Sequence, residues 1–280
     1  MDSHFIVILQ LLITVFRKDS FLEVEKGRYM MEKLFEQYHY FLKDTVRQTI
    51  DFRLTDQRKG MPPPPIQKPY DVNSDRIDLV TKDNWHSIMN IDIISAIENR
   101  KSHRHFRDEP LSLEELSFLL WATQGIRKRE DESTAFRTVP SAGCRHALET
   151  YLCILNVTGL AMGIYRYLPI EHQLLVVSLN EHLPEDIVTA TFYQSFIGKA
   201  PVTFIWTTIP YRMEWRYHIA AHKVIAIDAG HVCQNLYLAC AAIGGGTCAV
   251  AAYHQESMDK LLKVDGKNEF ALYLAAVGKI

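Results

Sequence analysis

The feature that most constrains this chain is a long, nearly continuous apolar segment from Lys223 to Gly246. Within it, Val224–Ile243 contains no proline, and small or aliphatic side chains occupy nearly every helical face, which is typical of a buried helix. Such a helix would span about 30 Å, the width of a domain. Polar residues interrupt the segment at Asp228, His231, Gln234 and Asn235. The unbroken apolar tract is therefore shorter than the roughly 20 residues that a bilayer requires, and we predict a central core helix that also meets a second subunit.

Composition excludes several classes of function. The chain has 280 residues, of which 48% are hydrophobic and 23% charged, as in ordinary globular proteins. Its 31 basic and 33 acidic residues predict no general attraction to nucleic acid or to an anionic membrane. The five cysteines form no CxxC pair, so we expect reduced thiols in a cytoplasmic protein. The apolar stretch Phe5–Phe16 lacks the basic start of a signal peptide and is predicted to form an N-terminal helix.

A proline-rich segment divides the chain. The sequence GMPPPPIQKPYD, from Gly60 to Asp71, cannot lie inside a helix or a sheet, because proline fixes φ and removes a hydrogen-bond donor. Before it, residues 27–50 carry apolar side chains at helical spacing. We therefore predict an N-terminal helical extension over residues 1–60, a Pro-rich linker over 61–85 and a main domain over 86–280.

The main domain mixes helical and strand patterns in a way that favours an α+β fold over a doubly wound one. Ser112 and Glu115 form a capping-box pattern, which predicts a helix that ends at Gly125. The charged residues 126–134 predict an exposed loop, and residues 185–196 predict a helix. Strands are predicted at ETYLCILNV, GIYRYL, QLLVVSL, PVTFIWTTI, TCAVAAY and FALYLAAVG.

Three short segments carry candidate site residues. Arg100, Ser102 and Arg104 alternate, so in an extended segment they share one face and either cradle a phosphate or form a solvated basic loop. The turn Pro140–Gly143 either lets backbone amides approach a planar ligand or simply begins the next element. The cluster Trp215–His218 either stacks on a substrate or forms a packing corner. No spacing predicts a metal site, and no cysteine has an evident base beside it.

Taken in this order, the segments resemble the flavin-dependent nitroreductase superfamily, and most closely its SagB-type dehydrogenase branch, which includes azoline oxidases. The resemblance covers residues 91–280 and is carried by RKSHRHF, PLSLEELSFLLWATQGI, RTVPSAG, GIYRY, WRY, DAGHVCQNLYLACAAIGGG and LYLAAVGK. It implies a nitroreductase-like α+β sandwich, in which helices flank a central mixed or antiparallel sheet. It also places the long buried helix at a homodimer interface.

The resemblance further implies an FMN site between the two subunits. Carried over by position, the cofactor-binding residues are Arg100, Ser102, Arg104, Pro140, Ser141, Ala142, Gly143, Ala251, Ala252 and Lys279. The first three would hold the phosphate, the ribityl chain and the pyrimidine edge. The turn Pro140–Gly143 would approach the flavin from the partner subunit, and the backbone at Ala251–Ala252 would face flavin N5. Lys279 is the remaining candidate for the phosphate.

Two departures from the family pattern bear on the reaction. Ala251–Ala252 stands where relatives often carry glycine or an acidic residue. The predicted catalytic residues, Arg216 and Tyr217, stand where azoline oxidases carry a Lys-Tyr pair. Because arginine stays charged, Arg216 can orient an anion but is a poor general base, and this argues against azole formation.

The activity that the resemblance implies is hydride transfer between flavin N5 and an organic substrate, by an FMN-dependent oxidoreductase with NAD(P)H as a candidate electron donor. Two alternatives stay open: an azoline oxidase within a peptide-modifying complex, and a flavin-bound scaffold subunit without catalysis. The expected partners are a second copy of the chain and a small-molecule or modified-peptide substrate. Neither nucleic acid nor a membrane is an expected partner.

Overall fold

The computed structural model describes residues 25–131 and 133–280, and the chain forms two compact units, Met1–Ile50 and Asp51–Ile280. In the first unit, helix α1 covers residues 25–42 and a short helical turn follows at Thr45–Thr49. Many large apolar side chains of α1 are exposed, among them Met30 and Tyr38. The predicted helix at Phe5–Phe16 lies outside the described residues.

The second unit is built on an antiparallel sheet to which the described residues contribute seven strands. Across the sheet these are β1 (Arg76–Asp78), β6 (Gln173–Leu179), β5 (Gly163–Leu168), β4 (Leu148–Ile154), β7 (Val202–Thr208), β9 (Phe270–Lys279) and β8 (Gly245–Val250). The central strands β4 and β7 are buried along their whole length, although polar side chains such as Glu149 and Thr203 interrupt their apolar sequences. The predicted α+β class is confirmed, with antiparallel pairing throughout this sheet.

Helices cover both faces of the sheet. They are α2 (Ile93–Glu98), α3 (Leu113–Gln124), α4 (Leu183–Ala190), α5 (Tyr211–Tyr217), α6 (Ala221–Ala241) and α7 (Gln255–Leu262). Alternate residues of β4 point to opposite faces. Leu152 joins the core beneath α3 and α6, whereas Cys153 joins the core beneath α4 and α7. The two faces of one strand thus serve two separate hydrophobic cores.

Helix α6 is the predicted central helix, but it is not enclosed on all sides. Val232 and Leu236 are buried in the core, whereas Ile227, Gly230 and Gln234 are exposed along one side of the helix. The stretch Tyr211–Ala241 is long and apolar enough to pass a composition test for a membrane span, a test that core helices of soluble proteins also pass. The exposed side of α6 is available to a second chain.

Two local predictions are wrong. The charged tract 126–134 is not a loop throughout, because β2 (Ile126–Arg129) pairs with β3 (Ala135–Arg137) in a small hairpin. The helix predicted over residues 185–196 is shorter, since α4 ends at Ala190 and the next residues leave the helical conformation. The charged sequence of the hairpin lacks the apolar alternation that would reveal its first strand.

The Pro-rich segment packs against the sheet, and the compact unit begins at Asp51 rather than at residue 86. Ile66 is buried, and its carbonyl accepts a hydrogen bond of 2.6 Å from Arg137 Nη2. The amide of Lys68 donates to the Glu149 carboxylate at 2.9 Å. Buried charged side chains, Arg137 of the β2–β3 hairpin and Glu149 of the main sheet, therefore hold the backbone of this segment, although the prolines prevent it from pairing as a strand.

Candidate functional site

Arg100, Ser102 and Arg104 lie in an extended segment beside β8, the edge strand of the sheet. Ser102 forms a parallel bridge with Thr247, and the amide of His103 donates to the Thr247 carbonyl at 2.9 Å. Both arginine side chains are exposed, and neither forms an ion pair within the described part of the chain. We call Arg100, Ser102 and Arg104 the cradle. It presents two free cations on one edge.

Tyr237 of α6 completes the cradle, and the sequence analysis missed it. Its hydroxyl lies 2.8 Å from Ser102 Oγ and accepts a hydrogen bond of 3.0 Å from the Ala249 amide. The Arg100 guanidinium stands 5.4 Å from the centre of the Tyr237 ring, within range of a cation–π contact. One aromatic side chain thus links the basic segment to β8. The available signal in the sequence was a single tyrosine within a largely aliphatic helix.

A cavity of about 170 Å³ opens beside the cradle. Its polar and glycine lining includes Arg100, Lys101, His103, Tyr237, Gly244, Gly245, Gly246 and Thr247. Gly246 has no room for a side chain, because a Cβ there would lie 2.6 Å from the His103 ring. Burial, with a further contribution from Lys101, lowers the pKa of His103, so arginine and lysine supply the positive charge at neutral pH. The cavity suits an anionic group such as a phosphate.

The other residues predicted to bind the cofactor beside the cradle, Ala251, Ala252 and Lys279, lie in two different places. Ala251 and Ala252 follow β8 directly and are exposed, and the Ala252 carbonyl accepts a hydrogen bond of 3.0 Å from Gln194. Lys279 instead points to the start of α3, where its ammonium pairs with Glu115 and donates to the Ile243 carbonyl at 2.6 Å. Because these contacts occupy the ammonium, we remove Lys279 from the candidate phosphate ligands.

The second group of predicted residues meets at Gly143. This glycine has φ of +56°, and a Cβ there would lie 2.4 Å from the Tyr217 hydroxyl and 3.0 Å from Arg216 Nε. The turn Pro140–Gly143 therefore touches both predicted catalytic residues of the same chain. We call Pro140–Gly143, Arg216 and Tyr217 the corner. This contact could not be predicted, because about seventy positions separate Gly143 from Arg216 and Tyr217 along the chain.

Asp228 of α6 lies beneath the turn and was also missed. Its side chain is buried, Oδ1 accepts a long hydrogen bond of 3.4 Å from the Ala142 amide, and Oδ2 has no partner within the described residues. Burial raises the pKa of Asp228, while hydrogen bonding to Ser141 opposes that shift. A buried carboxyl group of α6 thus contacts the turn.

Cys144 has a histidine neighbour that sequence spacing did not reveal. Its Sγ lies 3.5 Å from His146 Nε2 and 3.1 Å from the Ala135 carbonyl. Burial, reinforced by Arg137, lowers the pKa of His146 to about 2, and burial raises the pKa of Cys144. The pair is therefore neutral at physiological pH and does not provide a thiolate nucleophile.

Trp215 follows the packing alternative rather than the stacking one. Its ring is buried, its Nε1 donates to the Met61 carbonyl at 3.0 Å, and the Arg145 guanidinium stands 5.1 Å from the ring centre. Arg216 and Tyr217 are only half-buried and face the glycine turn. Trp215 is thus a packing residue, whereas Arg216 and Tyr217 remain candidates for a substrate contact.

The cradle and the corner lie on opposite sides of α6. Asp228 contacts the corner and Tyr237 contacts the cradle, and these residues are nine positions apart on one helix. At about 3.6 residues per turn, nine positions correspond to roughly two and a half turns, which reverses the direction in which a side chain points. Over residues 25–131 and 133–280, no group of three His, Cys, Asp or Glu side chains could hold a metal ion.

Comparison with known proteins identifies the family. The sequence model of the Nitroreductase family matches residues 97–279. The chain therefore belongs to this family. It is 32% identical over 192 residues to a Methanocaldococcus jannaschii protein named "Putative nitroreductase MJ1384", covering 69% of this chain and 93% of that one. The predicted resemblance to the nitroreductase superfamily is confirmed.

Solved structures share the fold. A Ralstonia eutropha protein with the same kind of name is 25% identical and superposes with a TM-score of 0.61, covering 78% of this chain and 98% of the other. The Escherichia coli microcin synthetase McbBCD complex with truncated pro-MccB17 bound contains a chain that is 20% identical, with a TM-score of 0.55. That match covers 73% of this chain and 78% of the other. At that identity the likeness shows the fold alone.

Proposed function

We propose that this chain is an FMN-dependent oxidoreductase that exchanges a hydride with an organic substrate. The observation that carries the proposal is the cradle, in which the Arg100 guanidinium, a hydroxyl pair and a glycine-lined cavity meet at the edge of the sheet, with Arg104 exposed in the same extended segment. This donor set fits the phosphate and polar chain of FMN, because guanidinium groups bind phosphate through bidentate, charge-assisted hydrogen bonds. Bound FMN would supply the hydride-accepting and hydride-donating chemistry, with NAD(P)H as the candidate electron donor.

The residues of the chain have separable roles in this proposal. Arg100 and Arg104 bind the anionic end of the cofactor, and Ser102 is held in place by Tyr237. The exposed backbone at Ala251–Ala252 leaves room for a planar ring at the end of β8.

In the corner, Tyr217 can donate a proton or a hydrogen bond to the substrate, and Arg216 supplies a fixed positive charge. Gly143 leaves the space that both side chains need. The corner therefore acts on the substrate, whereas the cradle holds the cofactor.

A homodimer is part of the proposal. The cradle and the corner of one chain point away from each other across α6, so two chains are needed to bring a cradle and a corner together. The exposed side of α6, with Ala226, Ile227 and Gly230, offers a mostly apolar surface with small side chains on which a second helix can pack closely. This arrangement supports a site that includes Pro140–Gly143 of a second copy.

Azoline oxidation within a peptide-modifying complex is the second candidate function. The side chain beside Tyr217 argues against it here, because the arginine at position 216 stays protonated and cannot accept a proton from a ring carbon. We therefore favour a small-molecule substrate over a modified peptide.

Titration of the purified protein with FMN, followed by flavin fluorescence, tests the proposal. We expect about one FMN per subunit, and bleaching by NADH or NADPH without oxygen if a nicotinamide is the donor. Arg100→Ala and Arg104→Ala should each weaken binding by roughly 10- to 100-fold, the contribution of hydrogen bonds to a charged group. Arg107→Ala is the matched control, because Arg107 is exposed nearby and pairs with Glu109. Equal losses in all three variants, or no FMN binding, would overturn the proposal.

A further inference from the structure

Arg145, two residues after the corner turn, is a buried arginine without a carboxylate partner. It is only 6% exposed, and its guanidinium lies 5.1 Å from the centre of the Trp215 ring. Nη2 donates to the Ser133 carbonyl at 3.0 Å, whereas Nε and Nη1 have no hydrogen-bond partner among residues 25–131 and 133–280. Of these two atoms only Nε is buried, so Nη1 is open to a ligand. A buried charge is normally paired, and this one is not.

A second guanidinium without a carboxylate partner lies beside the same turn. Arg216 Nε would be 3.0 Å from a Cβ at Gly143, and Arg216 follows Trp215, the residue on which Arg145 packs. Burial, with contributions from the charges of Arg216 and Arg212, lowers the pKa of Arg145. The fold thus holds like charges close together, although they repel one another.

The carboxyl groups nearby do not neutralise these two cations. Glu149 contacts Arg212 at 2.6 Å, and Asp228 faces the backbone of the turn rather than a guanidinium. Gly143 is exposed and Arg216 is half-buried, so the turn is accessible from solvent. The corner therefore carries an excess of positive charge that a ligand can reach.

We propose that Arg145 and Arg216 together bind a carboxylate group of the substrate. This inference rests on the proposed function, in which the corner contacts the substrate while the cradle holds the cofactor. Guanidinium groups bind carboxylates through charge-assisted hydrogen bonds, and a bound carboxylate would supply the missing counter-charge. Because the cradle already accounts for the phosphate of the cofactor, the anion at the corner belongs to the substrate. The substrate class is therefore an organic acid rather than a neutral molecule.

Equilibrium binding tests the inference without requiring turnover. The FMN-loaded protein is titrated by calorimetry with malonate, with malonamide as a neutral ligand of similar shape, and with inorganic phosphate. Malonate should bind at least about 10-fold more tightly than malonamide, because hydrogen bonds between charged groups are the strong ones. Arg145→Met and Arg216→Gln should each weaken malonate binding by roughly 10-fold or more. Arg216→Lys, which keeps the charge, should lose less.

Controls separate the possible outcomes. Arg107→Gln removes an arginine that pairs with Glu109 and should leave malonate binding unchanged. Arg216 is only half-buried, so its variants test the inference even where Arg145→Met does not fold. The inference is overturned if malonate binds no better than malonamide, or if either a folded Arg145→Met or Arg216→Gln binds malonate like wild type.

Tighter binding of phosphate than of malonate would also overturn the inference, since it would make the corner a site for a nucleotide phosphate. A protein that never binds FMN refutes the proposed function instead, and the FMN titration shows this first. The same malonate titrations of the FMN-free protein then still test the anion site, because the substitutions lie outside the cradle.

Discussion

The cradle and the corner differ in how much of their geometry is fixed before a ligand binds. In the cradle, Arg100 and Arg104 are exposed, and the described residues contain no ion-pair partner for either. In the corner, Gly143 contacts Arg216 and Tyr217 so closely that even a methyl group would not fit, and Asp228 supports the turn from below. The cradle is thus suited to attract a charged ligand, whereas the corner is suited to hold reacting groups in place.

The backbone shows the same contrast. The cradle follows a regular extended path beside β8. The corner and the residues directly after it contain positive φ angles at Gly143, Cys144 and His146. The His146 carbonyl accepts a hydrogen bond from Arg212, which also contacts the buried Glu149 at 2.6 Å. Strained backbone of this kind persists only where the surrounding structure holds it. Affinity and catalysis should therefore respond differently to substitutions in the two regions.

The largest effect should come from the corner. Tyr217→Phe removes only a hydroxyl group, and we expect turnover to fall by about 10²–10⁴-fold, the usual contribution of general acid catalysis. FMN affinity should stay nearly unchanged, because in the proposed function the cradle, and not the Tyr217 hydroxyl, binds the anionic end of the cofactor. Arg216→Lys should retain FMN and part of the activity, since a lysine keeps the positive charge. The measurement is substrate-dependent reoxidation of pre-reduced protein.

Tyr211→Phe serves as the control for this experiment. Tyr211 lies on the same helix, α5, but its hydroxyl contacts Asp56, away from the glycine turn. Its loss should leave turnover intact. Equal reoxidation rates for wild type, Tyr217→Phe and Arg216→Lys would assign the corner to packing and remove the functional contrast with the cradle.

Gly143→Ala should have an intermediate effect that measures how rigid the corner is. The added methyl group would contact the Tyr217 hydroxyl in a backbone conformation with positive φ. Gly159→Ala is the matched control, because its φ is +82° but its surroundings are open. We expect Gly143→Ala to lower the free energy of unfolding in urea by roughly 1–3 kcal/mol more than the control does, as overpacking typically does. Equal losses would show that the corner yields to the methyl group.

Much of the fold could be predicted because its signals are local. The capping box of Ser112 and Glu115 forms as predicted, and the apolar periods locate the main strands and α6. The hairpin of β2 and β3 was missed because its exposed residues carry charges rather than alternating apolar side chains. The packing of the Pro-rich segment was missed because side chains such as Arg137, far along the chain, hold its backbone.

Only part of the candidate site could be predicted, because only some of its contacts are local in the sequence. The alternation of Arg100, Ser102 and Arg104 lies within five residues and indicates a shared face by itself. Tyr237 and Asp228 complete the two halves from α6, and no pattern in a single sequence tells which polar residue of a helix meets which loop. The separation of Lys279 from the cradle likewise depends on Glu115, a capping residue whose second partner could not be foreseen.

The smallest expected effect concerns Asp228. Because burial raises its pKa in the folded protein, the protonated carboxyl stabilises the fold at low pH, and this contribution is lost as the pH rises through that raised pKa. Asp228→Asn cannot ionise and leaves its amide without a partner where Oδ2 now lies. At low pH it should cost on the order of 1 kcal/mol, because the new N–H donors are buried without a partner. In urea denaturation, the difference from wild type should shrink as the pH rises above about 4, the ordinary pKa of an aspartate. Asp265→Asn should show a constant difference above about pH 5, because backbone hydrogen bonds keep the pKa of Asp265 below its ordinary value. A constant difference for Asp228→Asn as well would mean that the carboxyl is ionised throughout, and that the corner is supported by charge rather than by a neutral hydrogen bond.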